Sequence, residues 1–136
     1  MQPERRDPTD PREWMRRARS NLARARAGPP APEVLYEDLA FDAQQAAEKA
    51  IKAVLVARAA DFPKTHSLID LFSLAKGAGV NVPPDVCEAG TLTRFAVRTR
   101  YPGLEDVTEK EYRRALELAE RVVAWAEETI ARTESP

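Results

Sequence analysis

Apolar residues recur at helical spacing in five stretches of this chain, and no stretch keeps the two-residue alternation of a half-buried strand. The first stretch follows Asp10 and Pro11, a capping residue and a first-turn proline, with Trp14, Ala18, Leu22 and Ala25 on one face. Gly28, Pro29 and Pro30 stop it. The second starts near Pro32 and runs to about Ala60, roughly 40 Å at about 1.5 Å per residue. Its stripe is Tyr36, Leu39, Ala40, Ala43, Ala47, Ala50, Ile51 and Val54, and such small side chains let a neighbouring helix approach closely. Pro63 ends the run. In "PKTHSLIDLFSLAKGAG" a short third helix is predicted, capped by Thr65 or Ser67 and closed by Gly77 or Gly79. A fourth is predicted from about Asp85 to Thr99 with Leu92, Phe95 and Ala96 inward, ending where Pro102 forces Tyr101 out of the helical region. Thr108 and Glu111 stand at capping-box spacing before the fifth, whose stripe is Tyr112, Leu116, Ala119, Val123, Ala126 and Ile130. Short links between such helices imply an all-α antiparallel bundle.

The division expected is a loose polar leader over 1–9, one helical domain over 10–131 and a short tail over 132–136. The chain has 136 residues, enough for one real core. Its net charge of −1 gives no overall pull on nucleic acid or an anionic membrane, so any anion site must be a local patch. Cys87 is the single cysteine and His66 the single histidine, too few for a structural zinc site, and no cofactor is expected. No apolar run reaches the ~20 residues of a membrane span, and "MQPERRDPTD" lacks the apolar core of a secretory signal. A cytoplasmic protein is expected.

Candidate chemistry concentrates in "LTRFAVRTRYPG". Arg94 and Arg98 are one turn apart, with Arg100 and Tyr101 close behind. On a continuous helix Arg94, Arg98 and Tyr101 share a face opposite Leu92 and Phe95, where guanidinium forks and a phenol ring can hold a phosphate or a base. The alternative is a solvated face whose arginines pair with acids of the fifth helix, such as Glu117 or Glu120. His66, at a helix start, is the candidate general base, with a local hydrogen bond as the alternative. On the second helix Lys49 and Lys52 lie away from the alanine stripe, on the side of Phe41, Gln45, Glu48 and Val56. That second stripe either packs under another helix of the bundle or marks an oligomer contact. The first helix carries Arg16, Arg17, Arg19, Arg24 and Arg26, and the last carries Glu109, Glu111, Glu117, Glu120, Glu127 and Glu128, charges that can pair within one chain or between two.

The segment "FDAQQAAEKAIKAVLVARAADFPKTHSL", together with the later "TRYP", resembles the small stand-alone prokaryotic branch of the HEPN-domain family, over roughly residues 10–131. The resemblance implies a four-helix up-and-down bundle with a short extra helix, often a homodimer. It also implies partnership with a minimal nucleotidyltransferase, frequently as a toxin–antitoxin pair. Positions that match the family pattern are Lys49, Lys52, His66, Arg100, Tyr101 and Pro102. Many members are metal-independent ribonucleases that use an arginine followed, after four to six residues, by a histidine. Here no histidine follows Arg94, Arg98 or Arg100, and Arg58 is separated from His66 by seven residues, so that site is not carried over. The expected function is therefore a nucleotide- or RNA-binding or interaction module, with Lys49, Lys52, Arg94, Arg98, Arg100 and Tyr101 as phosphate-binding candidates. The alternatives are a metal-independent endoribonuclease with a non-standard Arg/His site, His66 the base and Arg94, Arg98 or Arg100 the phosphate clamp, or a purely structural dimerisation bundle.

Overall fold

Asp10 accepts a hydrogen bond from the backbone N–H of Arg12 and, with Pro11 in the first turn, opens α1, Pro11–Ala27. The computed structural model describes residues 7–96 and 105–134. Met15, Ala18, Leu22 and Ala25 form the buried stripe of α1, with Asn21 buried among them. Gly28, at φ +74°, closes the helix in a conformation that side-chain-bearing residues resist.

The central element is α2, Tyr36–Ala57. It begins four residues later than the prolines suggest, because Ala31 accepts from Val34 N–H in a turn and Leu35 stays extended. Seven alanines on its inner faces (Ala40, Ala43, Ala46, Ala47, Ala50, Ala53 and, half-buried, Ala57) let α1 and α5 close on it from two sides. Ile51, Leu55, Leu68, Leu71 and Leu92 are fully buried, each contributing about 1.5–3 kcal/mol of hydrophobic stabilisation.

Ser67, the nearer of the two capping candidates, accepts from Asp70 N–H and starts α3, Leu68–Gly77. The single helix predicted over 85–99 is corrected. Pro84–Cys87 makes one α-helical turn, α4, and Glu88–Phe95 then continues as a 3-10 segment. The tighter winding accompanies a close approach: a Cβ on Gly90 would stand 2.8 Å from Cγ1 of Ile69 on α3. Residues 97–104 lie outside the described residues.

The last helix, α5, is Glu109–Glu134. Its start is a reciprocal capping box: Thr108 Oγ1 accepts from Glu111 N–H at 3.1 Å, and Glu111 Oε1 accepts from Thr108 N–H at 3.0 Å. Tyr112 stacks on Tyr36, and its hydroxyl donates to the carbonyl of Ala25, joining α5 to α1 and α2. Trp125 donates from Nε1 to Asn81 O at 3.0 Å and meets Phe72 edge-on. Charges on α1 and α5 pair within the chain, Arg19 with Glu127 at 2.9 Å and Arg26 with Glu120 at 3.7 Å. The result is an all-helical bundle with no strand among the described residues, and none of its helices is long and apolar enough to cross a membrane.

Candidate functional site

The polar stripe of α2 does not face solvent. Glu48 is 4% exposed and Lys52 8%, and Gln44 is fully buried. Three donors converge on the Glu48 carboxylate. Oε1 accepts from Gln44 Nε2 at 3.0 Å and from His66 Nδ1 at 2.9 Å, and Oε2 accepts from Lys52 Nζ at 3.0 Å. Burial pushes the Glu48 carboxyl up, but the three hydrogen bonds and the charge of Lys52 together outweigh it, so the group stays below the ordinary glutamate value. The Lys52 ammonium lies 5.8 Å from the centroid of Trp14 and 5.6 Å from that of Phe62, within cation–π range of both. Those two rings meet edge-on at 6.0 Å. Lys52 is thus enclosed by a carboxylate and two rings, which leaves it little access to a ligand.

His66 is the opposite case. Its side chain is 61% exposed although Nδ1 is held by Glu48. With Nδ1–H donating to the carboxylate, Nε2 carries the lone pair of the neutral ring. A buried carboxylate that fixes the tautomer of an accessible imidazole is an arrangement able to move a proton.

Lys49 sits one position along, at the seam where α1 crosses α2. Its ammonium donates to Asn21 Oδ1 at 2.7 Å, Asn21 Nδ2 donates to Asp42 Oδ1 at 3.1 Å, and Arg24 approaches Asp42 Oδ2 at 3.4 Å. Burial, and then the positive charge of Arg17, hold the Lys49 amine below the ordinary lysine value. Two hollows open on this seam and both are lined by Lys49. The larger, about 590 Å³, has apolar walls that include Val34 and Phe41 and a floor of Asn21 and Asp42. The smaller, about 330 Å³, is bounded by Pro8, Glu13, Trp14 and Arg17.

Arg94 lies elsewhere. At the end of the 3-10 segment its Nη2 donates to Glu111 Oε2 at 2.9 Å, and its guanidinium stands 4.4 Å from the Phe95 centroid. It lines a different hollow, between the 3-10 segment and α5, which shares no residue with the two at Lys49. Arg98, Arg100 and Tyr101 fall outside the described residues. Among the described residues no group of three or more His, Cys, Asp and Glu could hold a metal ion.

Sequence reasoning picked out Lys49, Lys52 and His66 but missed Glu48, which joins two of them. The signal was available: Gln44, Glu48 and Lys52 recur every four residues on α2, and side chains at that spacing face one another and can hydrogen-bond in series. Asn21 and Asp42 were also missed, because their pairing joins two helices and no local pattern encodes it.

The family model described as the HEPN domain matches residues 11–129. The crystal structure of TT1696 from Thermus thermophilus is similar, with 32% sequence identity and a TM-score of 0.73, covering 88% of this chain and 97% of that one. ST0689, an archaeal HEPN homologue, is similar at 26% identity and a TM-score of 0.71, covering 89% of this chain and 98% of that one. No curated protein matches the chain.

Proposed function

The chain belongs to the HEPN-domain family, and from that premise we propose that it is a nucleotide- or RNA-binding module that partners a minimal nucleotidyltransferase in a toxin–antitoxin-type pair. The observation that carries the binding part is Lys49. Its ammonium is held below its ordinary basicity at the junction of two open hollows, one of them large enough for a drug-sized ligand. Among the described residues Asn21 is its hydrogen-bond acceptor, and that amide brings no negative charge. A phosphate there would take the remaining ammonium donors and add negative charge to that supplied at longer range by Glu48 and Asp42. The test is calorimetric titration of the chain with ATP and with short RNA, together with co-purification with the product of the neighbouring gene. Heat of binding and a co-purifying nucleotidyltransferase are expected, and silence in both assays would sink the reading.

One observation favours a second reading, an endoribonuclease with a non-standard site. The Glu48 carboxylate orients His66 so that Nε2 can accept the proton of a 2′-hydroxyl. On that reading His66→Ala abolishes RNA cleavage while the circular dichroism spectrum stays helical, and undiminished cleavage by the variant removes it.

A further inference from the structure

The two hollows at the α1–α2 seam differ in charge. The larger holds Arg24 and Lys49 against Asp38 and Asp42, so its signs balance. The smaller holds Arg17 and Lys49 against Glu13 alone. Both oxygens of Glu13 are already engaged: Oε1 accepts from Arg16 and Arg17 at 2.9 Å each, and Oε2 accepts from Arg16 at 3.0 Å. Glu13 is thus shared between Arg16 and Arg17. Asp42 and Glu48 offset Lys49 in part, but the push from Arg17 outweighs either of them.

The same space contains a ring in a fixed position. Trp14 is anchored by its indole N–H on Pro8 O at 2.8 Å and braced edge-on by Phe62. Two cations, one from each helix of the seam, and an anchored indole are the components by which proteins bind a phosphate joined to a base. The volume, about 330 Å³, is at the small end of the range for ligand sites.

We infer that Arg17 and Lys49 form a phosphate clamp across the α1–α2 seam, with Trp14 as its stacking face, for a phosphate ester that carries a planar ring. This unit is common to a free nucleotide and to the end of a single-stranded RNA. The inference rests on the nucleotide-binding reading above and names its site. It moves that site away from Arg94, which is engaged with Glu111 at the 3-10 segment and α5.

Trp14 reports on its own site once Trp125, the second tryptophan and part of the core, is replaced. In a Trp125→Phe chain AMP or a 5′-phosphorylated trinucleotide should quench Trp14 fluorescence, and adenosine should bind about tenfold more weakly than AMP. A response to AMP alone assigns the site to a free nucleotide, and a response to the trinucleotide alone assigns it to an RNA end. Arg17→Gln and Lys49→Gln should each weaken the responding ligand about tenfold or more, while Arg94→Gln leaves it unchanged. Circular dichroism confirms that each variant is folded, and if Trp125→Phe is not, calorimetry on the Trp125 chain makes the same comparison. Binding that survives both Arg17→Gln and Lys49→Gln at full strength overturns the clamp and leaves the nucleotide-binding reading standing. Absence of binding by the unmutated chain to AMP, ATP and the trinucleotide overturns both.

Discussion

Nδ1 of His66 lies 2.9 Å from Oε1 of Glu48, eighteen positions earlier in the chain. The bond pins the turn between α2 and α3 to the middle of α2. It also joins an exposed ring to a buried carboxylate whose other oxygen holds Lys52. The turn and two further positions of α2 thereby share one buried negative charge.

Removing that charge alone should be costly. Glu48→Leu leaves the Lys52 ammonium enclosed without a counter-charge, and removing one partner of a buried pair costs about 3–5 kcal/mol. Replacing both partners in Glu48→Leu/Lys52→Met removes the stranded charge and should recover most of the loss. Urea unfolding of the two single variants and the double variant measures this. A double variant as unstable as the sum of the singles would show that the pair is not the source of the cost.

The pH dependence follows from the same carboxylate. Its folded value lies below the ordinary 4.5, so its stabilising contribution is complete above 4.5 and is lost as pH falls through the lower folded value. Glu48→Gln should be less stable than the wild-type chain at neutral pH and should lose less stability on acidification below pH 4.5. Urea midpoints taken stepwise down through that range read the slope, and parallel curves for the two chains would count against the assignment. Glu13, Glu88 and Glu111 also lie below 4.5, but they pair at the surface, where solvent screens them, and should add little to the slope.

The helical periodicity read from the sequence recovers α1, α2, α3 and α5, because each buries a repeating stripe, and all but α2 carry a side-chain cap at their start. Asp10, Ser67 and the Thr108–Glu111 box all cap as their spacing predicts. The region after Asp85 was misread as one α-helix, since 3-10 and α-helices draw on similar residues and what accompanies the tighter winding is the contact of Gly90 with Ile69, twenty-one positions away. The site was harder still. The stripe of Phe41, Gln45, Glu48 and Val56 reads as a packed face, but that Glu48 is the charge collecting Lys52 and His66 depends on where α1 and the 58–67 turn land. The alternative reading of Arg94, an arginine paired with an acid of the last helix, is met in kind, but by Glu111, about two turns before Glu117 and Glu120, because the 3-10 segment ends beside the capping box.

Ala59, in the turn that leads to His66, is strained. Both α2 and α3 end with a 6→1 and 5→2 pair of hydrogen bonds, Ala60 N–H to Leu55 O and Ala59 N–H to Val56 O in one, Val80 N–H to Ala75 O and Gly79 N–H to Lys76 O in the other. The left-handed position is Gly79 at φ +86° after α3, but Ala59 at φ +54° after α2. A Cβ in that conformation costs about 1–2 kcal/mol, and glycine's greater freedom in the unfolded chain returns about 0.4–1 kcal/mol of it. Ala59→Gly should therefore stabilise the fold by about 0.5–1 kcal/mol. A rise in the urea midpoint measures it, and a fall would mean that Ala59 relaxes out of the left-handed region.

Anion binding at Lys49 should leave a protonic signature distinct from affinity. Burial lowers the basicity of this amine, and Arg17 and then Lys52 press in the same direction, while Glu48 and Asp42 oppose them. A phosphate beside it favours the charged form and moves the amine back toward its ordinary 10.5, so at alkaline pH the complex holds more protons than the free chain. The phosphate itself, with its second ionisation near pH 6, is fully ionised there and contributes no proton. At about pH 9.5 titration with AMP, or with the trinucleotide if that is the ligand bound, should give apparent enthalpies that depend on the buffer's ionisation enthalpy, with the sign of proton uptake. Toward neutral pH the free and bound forms both approach full protonation, and this lysine's share of the dependence should shrink. The Lys49→Gln chain should lack the alkaline component even at ligand concentrations that restore saturation. Buffer-independent enthalpies at about pH 9.5 for a ligand that still binds would place its phosphate away from Lys49.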